Sequence, residues 1–429
     1  VNFPESEAYL LSLGNEVAAM KLGLESIGTL LTALGEPQNN YLKVQVAGTN
    51  GKGSVCAFLD SICRAARAQV GLYTSPHLVS ITERIRINGD DISEDDFARL
   101  ASRVREVSER LVGSGELPSI PTFFEQVTAI ALIAFAEAKV EIAILETGLG
   151  GRLDATTAAN AEICAITRID LDHHEYLGET IEEIAAEKAA IIQAGSRVVI
   201  GDQQPEAMNM LLARCRDVGV EPVLTGGITT DSEGACDRVS HTGAPLLPVG
   251  FPPLLLGLVG RHQLENAAIA AAVALEMRSF KPISNEDIIV GLRNARHPGR
   301  LEYDGRFLFD GAHNTGGSSA LASYLDEFER RSITLVFGVM EDKPVDEMLD
   351  LLVPRTDRIV FAQPANERAL SYEDLLLAMP RGVSRERTFV TDTVAKAIDI
   401  AETVTPDGGI ILVTGSLYLV GEVKKLLNN

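Results

Sequence analysis

No apolar run in this 429-residue chain approaches the ~20 residues that a membrane-spanning helix requires, so no membrane partner is expected. The opening stretch, "VNFPESEAYLLSL", carries no basic segment ahead of an apolar one, and no secretion signal is expected from it. Cysteine is scarce and scattered: Cys56, Cys63, Cys164, Cys215 and Cys236 form no C-x-x-C pair. That spacing suits buried, reduced thiols and a cytoplasmic protein. Positive charge is in the minority, with 38 Lys and Arg against 60 Asp and Glu, for a formal net charge of −22. Such a chain is a poor partner for nucleic acid, and an anionic substrate must be drawn in by a local cluster of cations. Internal repeats and low-complexity segments are also absent.

What is present is an ordinary globular composition, 46% apolar and 23% charged, long enough for two or three domains. "GLESIGTLLTAL" repeats apolar residues at helical intervals. From residue 43 short β-like runs alternate with amphipathic helices: "YLKVQVAG" before "SVCAFLDSICRAA", "VEIAILE" after "FFEQVTAIALIAFAEA", and "AEICAIT" before "TIEEIAAEKAAII". Alternation of this kind implies βαβ units and a largely parallel sheet. Residues 222–258 break the rhythm with Gly, Pro and Thr and read as a small β excursion. After "NARHPGR" a second series carries the strand patterns "FLFDGA", "ITLVFGV", "RIVFAQ" and "GIILVTG". The boundary is placed between 1–295 and 296–429.

"VAGTNGKGSVCAF" (46–58) joins a strand to a helix through a glycine turn. It differs from G-x-x-x-x-G-K-[ST] because Gly53 separates Lys52 from Ser54. Glycines let backbone N–H groups converge on an anion, the helix N-terminus adds positive potential, and Lys52 supplies a point charge. "VEIAILE" stops at Glu146, a carboxylate where a nucleotide-bound Mg²⁺ needs one. After "AEICAIT", either His173 or His174 is a candidate metal ligand, although a lone His is more often structural. Lys188 shares a helical stripe with Ile181, Ile184, Ala185, Ile191 and Ile192. A lysine desolvated there is biased toward its neutral, nucleophilic amine; snorkelling is the plainer reading. The fold class expected is α/β: an N-terminal P-loop ATPase-type domain with a parallel sheet, plus a smaller Rossmann-like α/β C-terminal domain.

In this order, "GTNGKGS", "YTSPHLVSITERIRING", "LETGLGGRLDATT", "LDHHEYLGETIEEIAAEKAAII", "HPGR", "DGAHN" and "TGSLYLVGEV" resemble the folylpolyglutamate synthase and dihydrofolate synthase family, relatives of the Mur peptide ligases. The motifs run from residue 48 to 422. The resemblance implies ATP-dependent amide synthesis through an acyl phosphate, with L-glutamate added to dihydropteroate, to a reduced folate, or to both. It implies ATP, two Mg²⁺ ions and a carbamate on Lys188, which serves the second metal. Catalysis would fall to Lys188, His173 and Glu146. Asn50, Gly51, Lys52, Gly53, Ser54 and Asn266 would bind ATP, with Arg300 and Asp310 from the C-terminal domain. Ser54, Ser75, Glu146 and His173 would be the metal ligands. Thr122, Phe123, Phe124 and Glu125 ("TFFE") and Leu153, Asp154 and Ala155 ("LDA") match stretches that contact the pterin, where aromatic faces stack and a carboxylate accepts N–H groups. Core packing accounts equally well for Phe123 and Phe124. His313 and Ser416 fall on the glutamate side, and a monomer is expected.

Arg168 and Asp170 stand where the motif usually has smaller, neutral residues, Thr315 where proline is usual, and Pro344 where an acid is common. The cations expected to admit anionic substrates include Arg84, Arg152, Arg300 and Lys343. Alternative readings are a folylpolyglutamate synthase alone or a Mur-type peptide ligase, for which the 47 residues ahead of Gly48 leave too little chain for a nucleotide-sugar domain. A P-loop GTPase lacks its N-K-x-D here, and a non-catalytic nucleotide module would leave Lys52, Glu146, His173 and Lys188 unused.

Overall fold

The computed structural model describes residues 2–14, 23–225, 238–239 and 254–428. Cys236 and most of the 222–258 excursion lie outside the described residues. Within the latter, Arg238–Val239 pairs antiparallel with Leu254–Leu255. The chain divides into two compact units. The first comprises Val1–Ser75, Ile81–Gly257 and Gln263–Arg296; the second comprises Pro76–Ser80, Leu258–His262 and His297–Asn429.

The first unit is built on eight strands: β1 (Leu42–Ala47), β2 (Val70–Tyr73), β3 (Ile85–Ile87), β4 (Asp90–Asp91), β5 (Ile142–Glu146), β6 (Ile163–Ile166), β7 (Arg197–Gly201) and β8 (Pro222–Thr225). Their order is β4-β3-β2-β5-β1-β6-β7-β8. β3 pairs antiparallel with both β2 and β4; the other six strands run parallel to one another. The central strands are buried along both faces, which is why they read as unbroken apolar runs. Alternation along β5 decides its sidedness. Ala143 and Leu145 enter the core that includes Val127, Ile130 and Phe135 of the Phe123–Glu137 helix. Ile142, Ile144 and Glu146 therefore turn to the opposite face. On the far side of β1, Cys164, Ile166, Val198 and Ile200 pack with Ile184, Ala185 and Leu211 from the helices after β6 and β7.

The second unit carries β11 (Glu302–Asp304), β12 (Phe307–Phe309), β13 (Ile333–Phe337), β14 (Arg358–Ala362), β15 (Thr388–Thr391) and β16 (Ile410–Thr414), with β9 and β10 being the short pair above. The order is β11-β12-β16-β13-β14-β15, parallel except for the β11–β12 hairpin. Its two faces sort with period two: Leu335, Phe337, Ile359, Phe361 and Leu412 lie on one, and Val336, Val360, Ile411 and Val413 on the other. Among the described residues no helix is long and apolar enough to cross a membrane.

The helix Lys52–Ala65, which leads out of the glycine loop, is backed by the helix Asn285–Asn294 at close range. A Cβ added at Gly291 would lie 2.4 Å from the Ile62 Cα, a backbone atom that cannot turn aside. An exposed helical Gly→Ala change gains roughly 1 kcal/mol. At this contact the overpacking cost of about 1–3 kcal/mol should win. Gly291→Ala should therefore lower the urea midpoint, and a midpoint at or above that of the parent would refute the close packing.

Candidate active site

Strand β1 lies between β5 and β6, while the strand that follows it in sequence, β2, lies beyond β5. This reversal of strand order opens a crevice at the carboxyl ends, where open α/β sheets bind ligands. Register aligns those ends: Val46 pairs with Glu146 and Ala47 with Ile166. The glycine loop after β1, Glu146 on β5 and the stretch after β6 therefore start side by side.

The loop's shape follows from two glycines. A Cβ at Gly48 would come 1.8 Å from Thr167 Oγ1, and Gly51 turns into the helix with φ +91°. The N–H groups of Thr49 and Asn50 both donate to the Arg168 carbonyl, at 2.9 and 3.1 Å. Val55 is the first residue to close a helical bond, to the Gly51 carbonyl. The N–H groups of Lys52, Gly53 and Ser54 stand ahead of it at the positive end of the helix, where an anion is best received.

Two lysines meet at this loop. Lys52 Nζ donates to the carbonyls of Gly48 and Thr49, at 3.0 and 3.1 Å. Lys188 Nζ donates to the same Gly48 carbonyl at 2.9 Å. Lys188 is buried, 4% exposed, with Ile184, Ala185, Ile191 and Ile192 around its segment. Its helix ends at Ala189, so Ile191 and Ile192 extend the apolar pattern beyond it rather than on it. Burial pushes the Lys188 amine down to about 7, with the neighbouring Lys52 charge adding to the effect against Asp172, Asp154 and Glu187.

The remaining first-unit candidates gather nearby. Glu146 is 6% exposed and its Oε2 accepts the Ser75 N–H at 3.2 Å. His173 adopts φ +53°, held by its N–H donating to Asp172 Oδ1 at 2.9 Å. His174 opens the short helix His174–Leu177, and its side chain lies outside the described residues. Ser54 Oγ accepts from Gln263 Nε2 at 3.2 Å, and Gln263 Oε1 accepts from Asn266 Nδ2 at 3.0 Å. Asn266 Oδ1 would be 2.3 Å from a Cβ on Gly51, so this side chain lies against the loop. Gln263 and Asp172 were not singled out in the sequence. The three-residue spacing of Gln263 and Asn266 on one helix face was the available signal for the first.

Among the described residues no group of three or more His, Cys, Asp or Glu is placed to hold a metal. The donors on hand are the Glu146 carboxylate, serine hydroxyls and His173. Such an oxygen-rich partial set suits a hard divalent cation that keeps waters and takes phosphate oxygens, rather than one held in an all-protein cage.

Several expected contacts prove to have work inside the chain. Thr122 caps the Phe123–Glu137 helix: it accepts the Glu125 N–H while Glu125 Oε2 accepts the Thr122 N–H at 2.7 Å. Phe123 is core, with the Arg84 guanidinium 5.3 Å from its ring centroid. Phe124 is half-buried, with its ring against Gly148. Leu153 is half-buried and Ala155 belongs to the core. Asp154 accepts from the Leu149 N–H at 2.9 Å, from the Thr156 N–H at 3.0 Å and from the Thr156 hydroxyl. Burial raises its pKa against the lowering effect of those bonds. Asp154 is thus tied to its own loop by three hydrogen bonds. Three of the cations expected to admit anionic substrates also have work inside the chain. Arg84 is buried over Phe123, Arg152 pairs with Glu187 at 2.9 Å, and Lys343 pairs with Asp342 at 3.3 Å.

In the second unit, Asp310 follows β12 and accepts the N–H groups of Leu301 and Ala312, both at 3.0 Å. Burial raises its pKa, which Arg300 opposes. His313 Nδ1 is 2.8 Å from the Gly311 carbonyl. Ser416 is buried and caps the Leu417–Leu427 helix by accepting the Leu419 N–H at 3.1 Å. Thr315 donates to Glu347 at 2.6 Å, and Pro344 precedes the helix Val345–Leu352.

A parallel sheet with a glycine loop at its reversal point, backed by a buried lysine, defines a Mur ligase-type nucleotide domain, and the comparisons agree. The Mur ligase middle domain matches residues 46–274, and the Mur ligase glutamate ligase domain matches residues 299–417. A Bacillus subtilis dihydrofolate synthase/folylpolyglutamate synthase is 35% identical over 95% of this chain and 95% of its own length. A probable bifunctional folylpolyglutamate synthase/dihydropteroate synthase of Halobacterium salinarum is 36% identical over 99% of this chain; the chain spans only 51% of that relative. A crystallised folylpolyglutamate synthase of Mycobacterium tuberculosis, complexed with ADP, superposes with a TM-score of 0.88 at 32% identity, covering 100% of this chain and 98% of that one. The chain belongs to the folylpolyglutamate synthase/dihydrofolate synthase family of Mur ligases.

The lowered Lys188 pKa fixes a pH window. Between about 7 and the ordinary lysine value of 10.5 the unfolded chain binds the extra proton. The stability tied to this group is therefore complete only above 10.5, and it is lost as pH falls through about 7. Competitive acetylation of the Lys188 amine should give a midpoint near 7, moving up in Lys52→Ala as a neighbouring positive charge is removed. A midpoint above 10 in the parent would contradict the burial described here.

Proposed function

We propose that this chain is an ATP-dependent ligase that joins L-glutamate to dihydropteroate, to reduced folates, or to both. The carrying observation is the meeting of Lys52 and the buried Lys188 at the Gly48 carbonyl, beside the strand end that carries Glu146. It stands in a chain that matches most of the length of a dihydrofolate synthase/folylpolyglutamate synthase.

In the first step a carboxylate oxygen of the folate-type acid bonds to the γ-phosphorus of ATP, and the bond to the departing ADP breaks. In the second, the glutamate amine bonds to the acyl carbon, phosphate leaves, and the nitrogen gives up its proton. The chain's part is chiefly positioning and charge. The first-turn N–H groups of Lys52, Gly53 and Ser54 receive phosphate oxygens. The Lys52 ammonium exchanges its carbonyl partners for phosphate, and Asn266 steadies the turn at Gly51. Ser54, Ser75, Glu146 and His173 would hold Mg²⁺, which when bound neutralises charge on the phosphates and aligns them. Lys188, neutral in good part near pH 7, is the amine that can add CO₂ with loss of one proton, turning a neutral amine into an oxygen-donor anion. We assign Arg300 to the nucleotide and His313 to the glutamate side. Phe124, half-exposed beside Gly148, is the better candidate of the two phenylalanines for a flat ring.

ATP turnover should require the acid and L-glutamate together, with ADP and phosphate formed one-to-one with the amide. Turnover by ATP alone, or by ATP with any amino acid and no acid, would sink this reading. Lys188→Ala should reduce kcat at least a hundredfold while shifting the melting midpoint little, because a buried charge is removed with the side chain. Acetate should restore part of the rate, and ¹³C-bicarbonate should give a carbamate resonance in the parent that the variant lacks. A fully active Lys188→Ala enzyme would remove the lysine from the mechanism.

A further inference from the structure

Thr49 and Asn50 form the apex of the glycine loop, and the stretch just after β6 holds them at four points. The Arg168 carbonyl accepts both of their N–H groups, at 2.9 and 3.1 Å. The Asp170 carbonyl accepts the Thr49 hydroxyl at 3.0 Å, and Asp170 Oδ2 accepts the Asn50 side-chain amide at 2.9 Å. Asp170 is itself fixed. Arg168 Nε donates to its Oδ1 at 3.3 Å, and Gln204 Nε2 reaches the same oxygen at 3.5 Å. Gln203 secures the base of the stretch, donating to the Thr167 carbonyl at 2.9 Å and accepting the Ile169 N–H at 3.0 Å. Arg168 and Asp170 are two of the positions where this chain departs from the motif it otherwise follows.

We propose that Arg168 and Asp170 act as a clamp that sets the phosphate-binding loop in its receptive shape before nucleotide arrives, which makes Asp170 a positioning residue for ATP. The inference rests on the nucleotide reading of that loop. A glycine-rich turn has many conformations to lose, and whatever orders it in the free protein removes that loss from the binding step. The clamp ties down the two N–H groups that do not face the helix axis and leaves those of Lys52, Gly53 and Ser54 to the ligand. A carboxylate beside a triphosphate site is ordinarily repulsive. Here the Arg168 guanidinium pairs with it, so the clamp keeps a strong charged acceptor while limiting the field cast on the phosphates.

Calorimetric binding of ADP, with KM and kcat for ATP and for the acid substrate, tests the clamp. Asp170→Ala should weaken ADP and raise KM for ATP by about five- to tenfold, the loss of one charged-acceptor hydrogen bond. KM for the acid should stay within twofold, and amide exchange across residues 48–51 should quicken. Asp170→Asn keeps a carbonyl acceptor and should recover ADP affinity to within about twofold of the parent. Unchanged ADP affinity in Asp170→Ala, or a loss in Asp170→Asn as large as in Asp170→Ala, overturns the clamp. Should the alanine variant fail to fold, Thr49→Val deletes only the hydroxyl bond: threefold weaker ADP supports the clamp, and parental affinity overturns it. A parent protein that binds no ADP at all would instead refute the nucleotide reading itself, and the clamp with it.

Discussion

The carbonyl of Gly48 receives two lysine amines, and much of the site's chemistry follows from that meeting. The carbonyl faces inward because the chain reverses immediately after β1, at a residue whose missing side chain makes room for Thr167. Two full positive charges at one acceptor repel each other, and the pair differs in its access to water. Lys52 is half-buried and keeps a second carbonyl partner, while Lys188 is enclosed on an apolar segment. The enclosed amine is the one that yields its proton. The same loop geometry thus sets Lys52 beside a Lys188 whose pKa burial lowers to about 7. A loop of ordinary residues, with Cβ atoms in the way, could not bring both lysines to one oxygen.

Much of the fold was legible because the sheets are buried on both sides. β5, β6, β12, β13, β14 and β16 read as largely apolar runs between turn signals, while β1 alternates Lys43 and Gln45 with apolar residues. Of the strands that escaped notice, β2 has four residues, β3 and β4 form a small hairpin, and β11 and β15 each have one neighbour; β7, buried between β6 and β8, escaped as well. A strand with one partner and a solvated side has no need of a continuous apolar run, so it leaves little pattern to find. At the end of the Lys188 helix the opposite error arises. Ile191 and Ile192 keep the helical spacing after the helix has stopped, because they pack into the same core as β7. Periodicity reports burial first and conformation second.

The site divides along a similar line. Lys52, Glu146, His173 and Lys188 could be named because each stands at a strand end or on an apolar stripe where a charged residue needs a reason. Asp172 and Thr167 could not, since their work depends on which strand lies beside which, and Gln263 had only its spacing from Asn266 to mark it. Other candidates also have local structural work. Thr122 and Glu125 have the spacing of a capping box before an apolar run, a local signal sufficient to account for both. Asp154 and Ser416 likewise satisfy backbone N–H groups at the start of helical turns. A carboxylate or hydroxyl next to a motif is therefore weak evidence of ligand contact until the helix that follows it has been considered.

The chain's charge poses the sharpest conflict, and the structure resolves it locally. A net charge of −22 should repel the triphosphate and the acidic amino acid proposed as substrates. Arg152 does not offset it, since it is bound to Glu187. What remains at the carboxyl ends of the first sheet is an inner set: two lysines, the first-turn N–H groups of one helix, and carboxylates suited to a divalent cation. At physiological ionic strength the Debye length is about 8 Å, so most of the acidic surface is screened from a ligand in the crevice. The affinity of such a site is decided by the few groups within that radius. Their sign there can be opposite to that of the protein as a whole.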